Sequence, residues 1–227
     1  MSKKPLYSLS KKVICLLLAF CVSIVPAAAT GLLIMPAPNT DMWDNPFKDV
    51  SQDDWFYDAV KYSFRNDLMH GKTETEFSPY HVTTRGQIIT ILWRMETSPV
   101  VNHILPFEDV PQESYCAEAI RWAACQGIAS GYDDGTFHPD APISRQQLAS
   151  FLWRYAKYKN MDVSVGEDTN ILSYNDAFDI SEYAIPALQW ACGAGIMSGY
   201  TDGYLRPFGQ ASRAHTAQTL MKFMEIG

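Results

Sequence analysis

The 227-residue chain is poor in cysteine, in positive charge and in long apolar runs, and each shortage removes a class of protein from consideration. Beyond residue 29 only Cys116, Cys125 and Cys192 remain, an odd number without metal-type spacing, so neither a disulfide framework nor a zinc site is expected. Cys125 and Cys192 stand beside apolar positions (Trp122, Ala123; Trp190, Ala191) and read as small buried hydrophobes. The five histidines, His70, His81, His103, His138 and His215, share no spacing, and no metal or cofactor is expected. Lys and Arg number 18 against 25 Asp and Glu, a formal charge of −7, which argues against a broad electrostatic footprint on nucleic acid. No Ser, Cys or acid pair sits in a nucleophile or general-acid motif, and residues 30–46 are too short for a catalytic domain, so no enzyme is expected.

The N-terminus has the pattern of an export signal. Lys3, Lys4, Lys11 and Lys12 precede an apolar run from Val13 to Val25, and Pro26-Ala27-Ala28-Ala29 supplies small residues for cleavage. The apolar run falls short of the roughly 18 to 20 residues of a membrane span, so residues 1–29 read as a signal peptide; a retained anchor is the competing reading. Cleavage removes four lysines and no acid, moving the charge to −11. Membrane insertion after cleavage is not expected, and residues 30–46 read as a linker.

The dominant feature is an internal repeat with a period of 60 residues. Phe47-Lys48-Asp49-Val50 returns as Phe107-Glu108-Asp109-Val110, Trp55 as Tyr115, Gly71 as Gly131, Phe77-Ser78-Pro79 as Phe137-His138-Pro139, and Thr84-Arg85 as Ser144-Arg145. A looser third copy follows at 67 to 68 residues: Tyr174-Asn175-Asp176-Ala177, then Gly199-Tyr200-Thr201-Asp202-Gly203, then Ser212-Arg213. The extra length lies in the polar stretch 160–170, read as a longer inter-repeat loop. The copies span 47–97, 107–157 and 173–226.

Apolar spacing predicts two helices per copy; in the second, Tyr115, Ala119, Ile120, Trp122 and Ala123 share one face and Leu148, Phe151, Leu152 and Tyr155 another. Thr84 with Gln87, and Ser144 with Gln147, form capping boxes at the second helix of each copy, while His215 leaves the third box half complete. A unit of about 50 residues buries too little surface to stand alone. The expected fold is all-α, with three helix-loop-helix repeats packed as a pseudo-threefold domain around a shared helical core; a three-unit solenoid is the alternative.

Arg85, Arg145 and Arg213 each stand in the first turn of a second helix, where a cation opposes the helix dipole by roughly 0.3 to 1 kcal/mol. Two explanations are open. An anion bound by the guanidinium and the free amides of the helix start is one. An internal ion pair with Asp49, Asp109 or Asp176 is the other. The loops Gly131-Tyr132-Asp133-Asp134-Gly135 and Gly199-Tyr200-Thr201-Asp202-Gly203 suit close approach of a ligand to backbone, though turn formation also explains them. They lack the alternating acids and distal Glu of a calcium loop. Thr75 replaces the second loop Gly in the first copy. Trp55 and Tyr115, with Tyr183 in the third copy, are candidate sugar-stacking platforms, whereas Trp93, Trp122, Trp153 and Trp190 read as core.

These ordered elements, over residues 47 to about 225, resemble the S-layer homology (SLH) domain, found in tandem threes on bacterial surface proteins. The resemblance implies a three-pronged all-α fold that binds secondary cell-wall polysaccharide, typically one carrying a ketal-pyruvate group. It implies glycan contacts at Arg85, Arg145 and Arg213, and with Asp49, Asp109, Asp176, Trp55, Tyr115 and the loop residues Gly131, Asp134, Gly135, Gly199, Asp202 and Gly203 it completes the candidate site. The family's Thr-Arg-Ala-Glu reads Gly86-Gln87, Gln146-Gln147 and Ala214-His215 after the arginine. The groove built from Arg145 and the Gly131–Gly135 loop is expected to be the best preserved. A secreted protein held on the cell wall or S-layer follows, with a further surface-protein partner left open and a protein-interaction or self-assembly module as the alternative function.

Overall fold

The computed structural model describes residues 43–166 and 169–226. Residues 1–29, read as a signal peptide, and most of those read as a linker lie outside the described residues. Six α-helices carry the fold: α1 (Tyr57–Arg65), α2 (Arg85–Met95), α3 (Ala117–Cys125), α4 (Arg145–Tyr158), α5 (Ile185–Gly193) and α6 (Arg213–Glu225). Among the described residues there is no sheet, only three isolated bridges, and no helix is long and apolar enough to cross a membrane.

The second helix of each copy starts where its cap residues dictate. Thr84 Oγ1 accepts from the Gln87 amide while Gln87 Oε1 accepts from the Thr84 amide, and Ser144 with Gln147 repeats the exchange. In the third copy Ser212 Oγ accepts from the His215 amide and meets the imidazole Nδ1 at 2.8 Å, a different closure of the same turn. Each such cap contributes about 1 kcal/mol.

Helices pack mainly across copies. The second helix of one copy lies against the first helix of the next: α2 on α3, α4 on α5, and α6 back on α1. The backbone before α2, α4 and α6 closes the same cycle: the Thr83 amide donates to Ala211 O, Ala211 to Ile143 O, and Ile143 to Thr83 O, each at 2.9 Å. Copies one and three are therefore directly bonded, a contact that an open three-unit stack lacks. The shared core includes Phe56, Phe77, Ile88, Leu92, Ile120, Trp122, Phe137, Ile143, Leu148, Leu188, Trp190 and Leu220, all fully or almost fully buried.

Three local expectations change. Trp43, placed in the linker by sequence, packs its ring against Phe47, Tyr57 and Phe64, so the folded body begins there. Within the long inter-repeat loop, Ser164–Gly166 forms a 3-10 turn seated on α5, and Gly166 approaches the Trp190 backbone too closely for any side chain. Of the cysteines, Cys116 is the buried one; Cys125, at the end of α3, is exposed and Cys192 half-buried. Trp122 and Trp190 are core, and Trp93 and Trp153 pack half-buried against it.

Candidate functional site

Each copy contains a clamp that sets the course of its loop. Asp109 accepts from the Phe137 and His138 amides, one per carboxylate oxygen, at 2.7 Å. Asp49 does the same for Phe77 and Ser78, and Asp176 for Leu205 and Arg206. The second amide of each pair belongs to a residue with positive φ, Ser78, His138 or Arg206, a conformation costly for side-chain-bearing residues and held here by the carboxylate. A proline follows each.

The clamp aims the preceding carbonyl at an arginine of the copy before it. Arg85 Nε donates to Phe137 O at 2.8 Å and its Nη2 to Ser130 O at 3.3 Å. Arg145 treats Leu205 O and Ser198 O alike, at 2.9 and 2.7 Å, and Arg213 takes Phe77 O, at 2.8 Å, and His70 O. The guanidiniums also lie over aromatic rings: Arg85 over Phe137 at 4.5 Å and Tyr132 at 5.0 Å, Arg145 over Tyr200 at 5.0 Å, Arg213 over Phe77 at 4.5 Å.

Neither sequence-based account of the arginines holds in full. Asp49, Asp109 and Asp176 are occupied by loop amides, and among the described residues no carboxylate pairs with Arg85, Arg145 or Arg213. Nor are the helix-start amides free. Arg85 N donates to Ala141 O, Gly86 N to Pro139 O and Gln87 N to Thr84 Oγ1, with equivalent bonds in the other copies. What remains is a positive charge on a residue 3% to 8% exposed, with carbonyls and π-faces around it and, among the described residues, no acid at ion-pair distance; Asp109 and Asp49 act on Arg85 and Arg213 only from farther off. Burial pushes the Arg85 and Arg213 guanidiniums below the ordinary arginine value, yet arginine stays charged at any physiological pH.

Each arginine borders a groove assembled from all three copies. Groove A joins Arg213 to the 68–71 loop, α2 and Tyr115. Groove B joins Arg85 to the 130–132 loop, α4 and Tyr183. Groove C joins Arg145 to the 196–200 loop, α6 and Trp55. The expected pairing of Arg145 with the Gly131–Gly135 loop is therefore corrected: the arginine of one copy serves the loop of the next, because α2, α4 and α6 dock their starts on the following copy. The volumes are about 190, 200 and 200 Å³ for A, B and C, below the ~300 Å³ of a pocket for a drug-sized ligand and on the scale of a sugar ring.

The aromatic candidates Trp55, Tyr115 and Tyr183 occupy the same position in the three grooves and are about half exposed, each contributed by the copy that supplies neither arginine nor loop. Gly131 and Gly199 face grooves B and C, and both allow packing that a side chain forbids: a Cβ on Gly131 collides with the Phe107 ring and Thr136 O, and one on Gly199 with the Tyr174 ring. Gly135 and Gly203 serve turns with positive φ. Asp134 and Asp202 accept from loop amides outside the groove walls. Thr75, where the other copies have Gly, leaves the loop closure intact, since Lys72 N donates to Glu76 O as Tyr132 N does to Thr136 O.

Sequence reading missed a second cation on each groove wall. Arg94, Arg154 and Lys222 line grooves A, B and C from α2, α4 and α6, at one shared repeat position. The repeat of Leu92-Trp93-Arg94 as Leu152-Trp153-Arg154 contained the signal. Burial lowers the Arg154 value, and its Nη1 donates to Ser130 Oγ at 3.1 Å. Among the described residues no group of three or more His, Cys, Asp or Glu is placed to hold a metal ion.

Three cationic, aromatic-edged grooves thus lie on a scaffold of three repeated helix pairs. Residues 46–89, 106–149 and 173–217 match the S-layer homology domain family, over half of the chain, and the chain belongs to that family. It is 30% identical over 175 residues to an endoglucanase of Bacillus sp. (strain KSM-635), covering 77% of this chain and 18% of the relative. It is 26% identical to a cellulosome-anchoring protein of Acetivibrio thermocellus, covering 66% and 34%, and 30% identical to a surface-layer 125 kDa protein of Lysinibacillus sphaericus, covering 47% and 9%. The chain thus spans a minor part of each of these relatives.

Proposed function

We propose that this protein is exported and attaches non-covalently to the bacterial cell wall by seating negatively charged sugars of a wall polysaccharide, pyruvylated ones in particular, in grooves A, B and C. The observation that carries this reading is the buried guanidinium without an acid partner at the edge of each groove. A desolvated cation of that kind gains most from an incoming carboxylate, which supplies the charge-assisted hydrogen bonds that carbonyls alone do not match. Trp55, Tyr115 and Tyr183 then offer a face to the sugar ring. The pseudo-threefold arrangement presents three weak sites to one polymer, and joint occupancy multiplies retention. No catalytic role belongs to this reading, and the names of the anchoring and surface-layer relatives support it.

One observation favours a second reading. The Nε and Nη2 bonds to carbonyls of the next copy give each arginine a structural duty, and a self-assembly or protein-interaction module needs nothing more. The exposed aromatics separate the two. Trp55→Ala, Tyr115→Ala and Tyr183→Ala combined should lower the melting temperature but leave the protein folded, since about half of each ring is buried and the shared core is untouched. Retention on purified sacculi is expected to fall at least tenfold. Undiminished retention by a folded triple variant removes the glycan-groove reading and leaves the structural one.

A further inference from the structure

The three grooves are built alike except at one wall position. The third residue of the second helix is Gln87 in groove A and Gln147 in groove B, each completing a capping box, but His215 in groove C. The imidazole stands between Trp55, at 4.9 Å between ring centroids, and Tyr200, at 6.3 Å. Its Nδ1 meets Ser212 Oγ, and among the described residues its Nε2 has no hydrogen-bond partner. Arg145 borders the same groove from the start of α4 and Lys222 from α6 itself. On the loop side, Arg206 covers Tyr200 at 4.3 Å and is itself paired with Asp202. On the α1 side, Asp54, next to Trp55, is turned onto its own Ser51 amide. Cations therefore outweigh acids around this ring.

Building on the glycan reading above, we propose that His215 makes groove C a proton-linked anion site, which binds a carboxylate-bearing sugar more tightly in mildly acidic conditions, whereas groove B, whose lining contains no histidine, lacks that linkage. The empty groove keeps the imidazole neutral: burial and then the Arg145 charge hold it below the ordinary histidine value. A carboxylate seated between Arg145, Lys222 and the ring reverses that balance, because it screens Arg145 and accepts a hydrogen bond from a protonated Nε2. Seating the anion then takes up one proton. Affinity rises as pH falls through the window between the imidazole's empty and occupied midpoints and levels off below it. Gln87 and Gln147 give the other grooves no titrating group at this position; groove B holds no histidine at all, and the one histidine on the wall of groove A, His70, is paired with Asp67.

The test is a pH titration of the full chain, followed by NMR of 15N-labelled imidazoles, with and without a methyl glycoside carrying a pyruvate ketal. The probe should raise the His215 midpoint by about one unit, equivalent to a tenfold gain in groove C affinity across the window, and should leave the exposed His81 unmoved. His215→Gln, which installs the cap of the other two copies, should stay folded, bind the probe, and lose the pH-dependent part measured by calorimetry between about pH 5 and 7.5. An unmoved His215 midpoint alongside calorimetric binding overturns the proton linkage while sparing the glycan reading. The same pH dependence in His215→Gln also overturns it. No binding by the wild-type chain at any pH overturns both.

Discussion

Single residues set the groove geometry through steric fit as much as through charge. Gly131 is an example: Phe107, which opens the second copy, fills the space a side chain would need, and the two motif residues are partners in one contact. Gly131→Ala should cost about 1 to 3 kcal/mol, measured by denaturant melts, because it overpacks Phe107 and pushes at Thr136 O. The same pairing joins Gly71 to Phe47 and Gly199 to Tyr174. Sequence alone made these glycines visible as loop residues and the aromatics as repeat markers; their contact, 24 or 25 residues apart along the chain, depends on tertiary packing. Asp49, Asp109 and Asp176 taught a related lesson. Their spacing suggested partners for arginine, but two adjacent amides in a turn of positive φ satisfy both carboxylate oxygens and leave the arginines to carbonyls.

At the scale of elements, helix starts and ends have different duties. The starts of α2, α4 and α6 give their first amides to the next copy and so build grooves, which is why those amides are not free to join the arginine in holding an anion. Caps and helix identity were legible in sequence because they depend on neighbours three and four residues away, but Tyr115, read onto the apolar face of the second copy's first helix, precedes α3 and stands exposed at a groove edge. Which loop each arginine would meet was not, since local pattern does not reveal that packing runs from one copy to the following one. The C-terminal ends hold a polar tie: Glu96, closing α2, accepts from Tyr155 at 2.6 Å and from Lys159 at 2.7 Å. Burial alone would raise the Glu96 value, but the hydrogen bonds from Lys159 and Tyr155 hold it below the ordinary glutamate value. A lowered folded value stabilises the protein above the unfolded glutamate value of about 4.5, and that stability is lost as pH falls further. Glu96→Gln should therefore melt below wild type at pH 7 and approach it at pH 3, as read by circular dichroism; an equal gap at both values contradicts an ionised tie.

For the whole molecule, the cyclic exchange ties the three copies into one folded body. No copy owns a complete groove: arginine, loop and aromatic platform come from three different ones. That arrangement makes the grooves inseparable from the folded set, and it lets small differences, such as His215 against Gln87 and Gln147, give them different side chains without altering the scaffold. It also places three buried cations in one chain of net acidic composition, so under the proposed function selectivity for an anionic polymer would rest on the grooves and not on overall charge. The most direct measurement is retention of the full chain on sacculi whose wall glycan carries pyruvate ketals, before and after mild acid hydrolysis that removes the ketals and leaves the polymer in place. Loss of at least nine-tenths of the bound protein is expected after hydrolysis, about 1.4 kcal/mol or more of binding free energy; equal retention on treated and untreated walls would contradict the proposal that the arginine grooves hold a charged sugar.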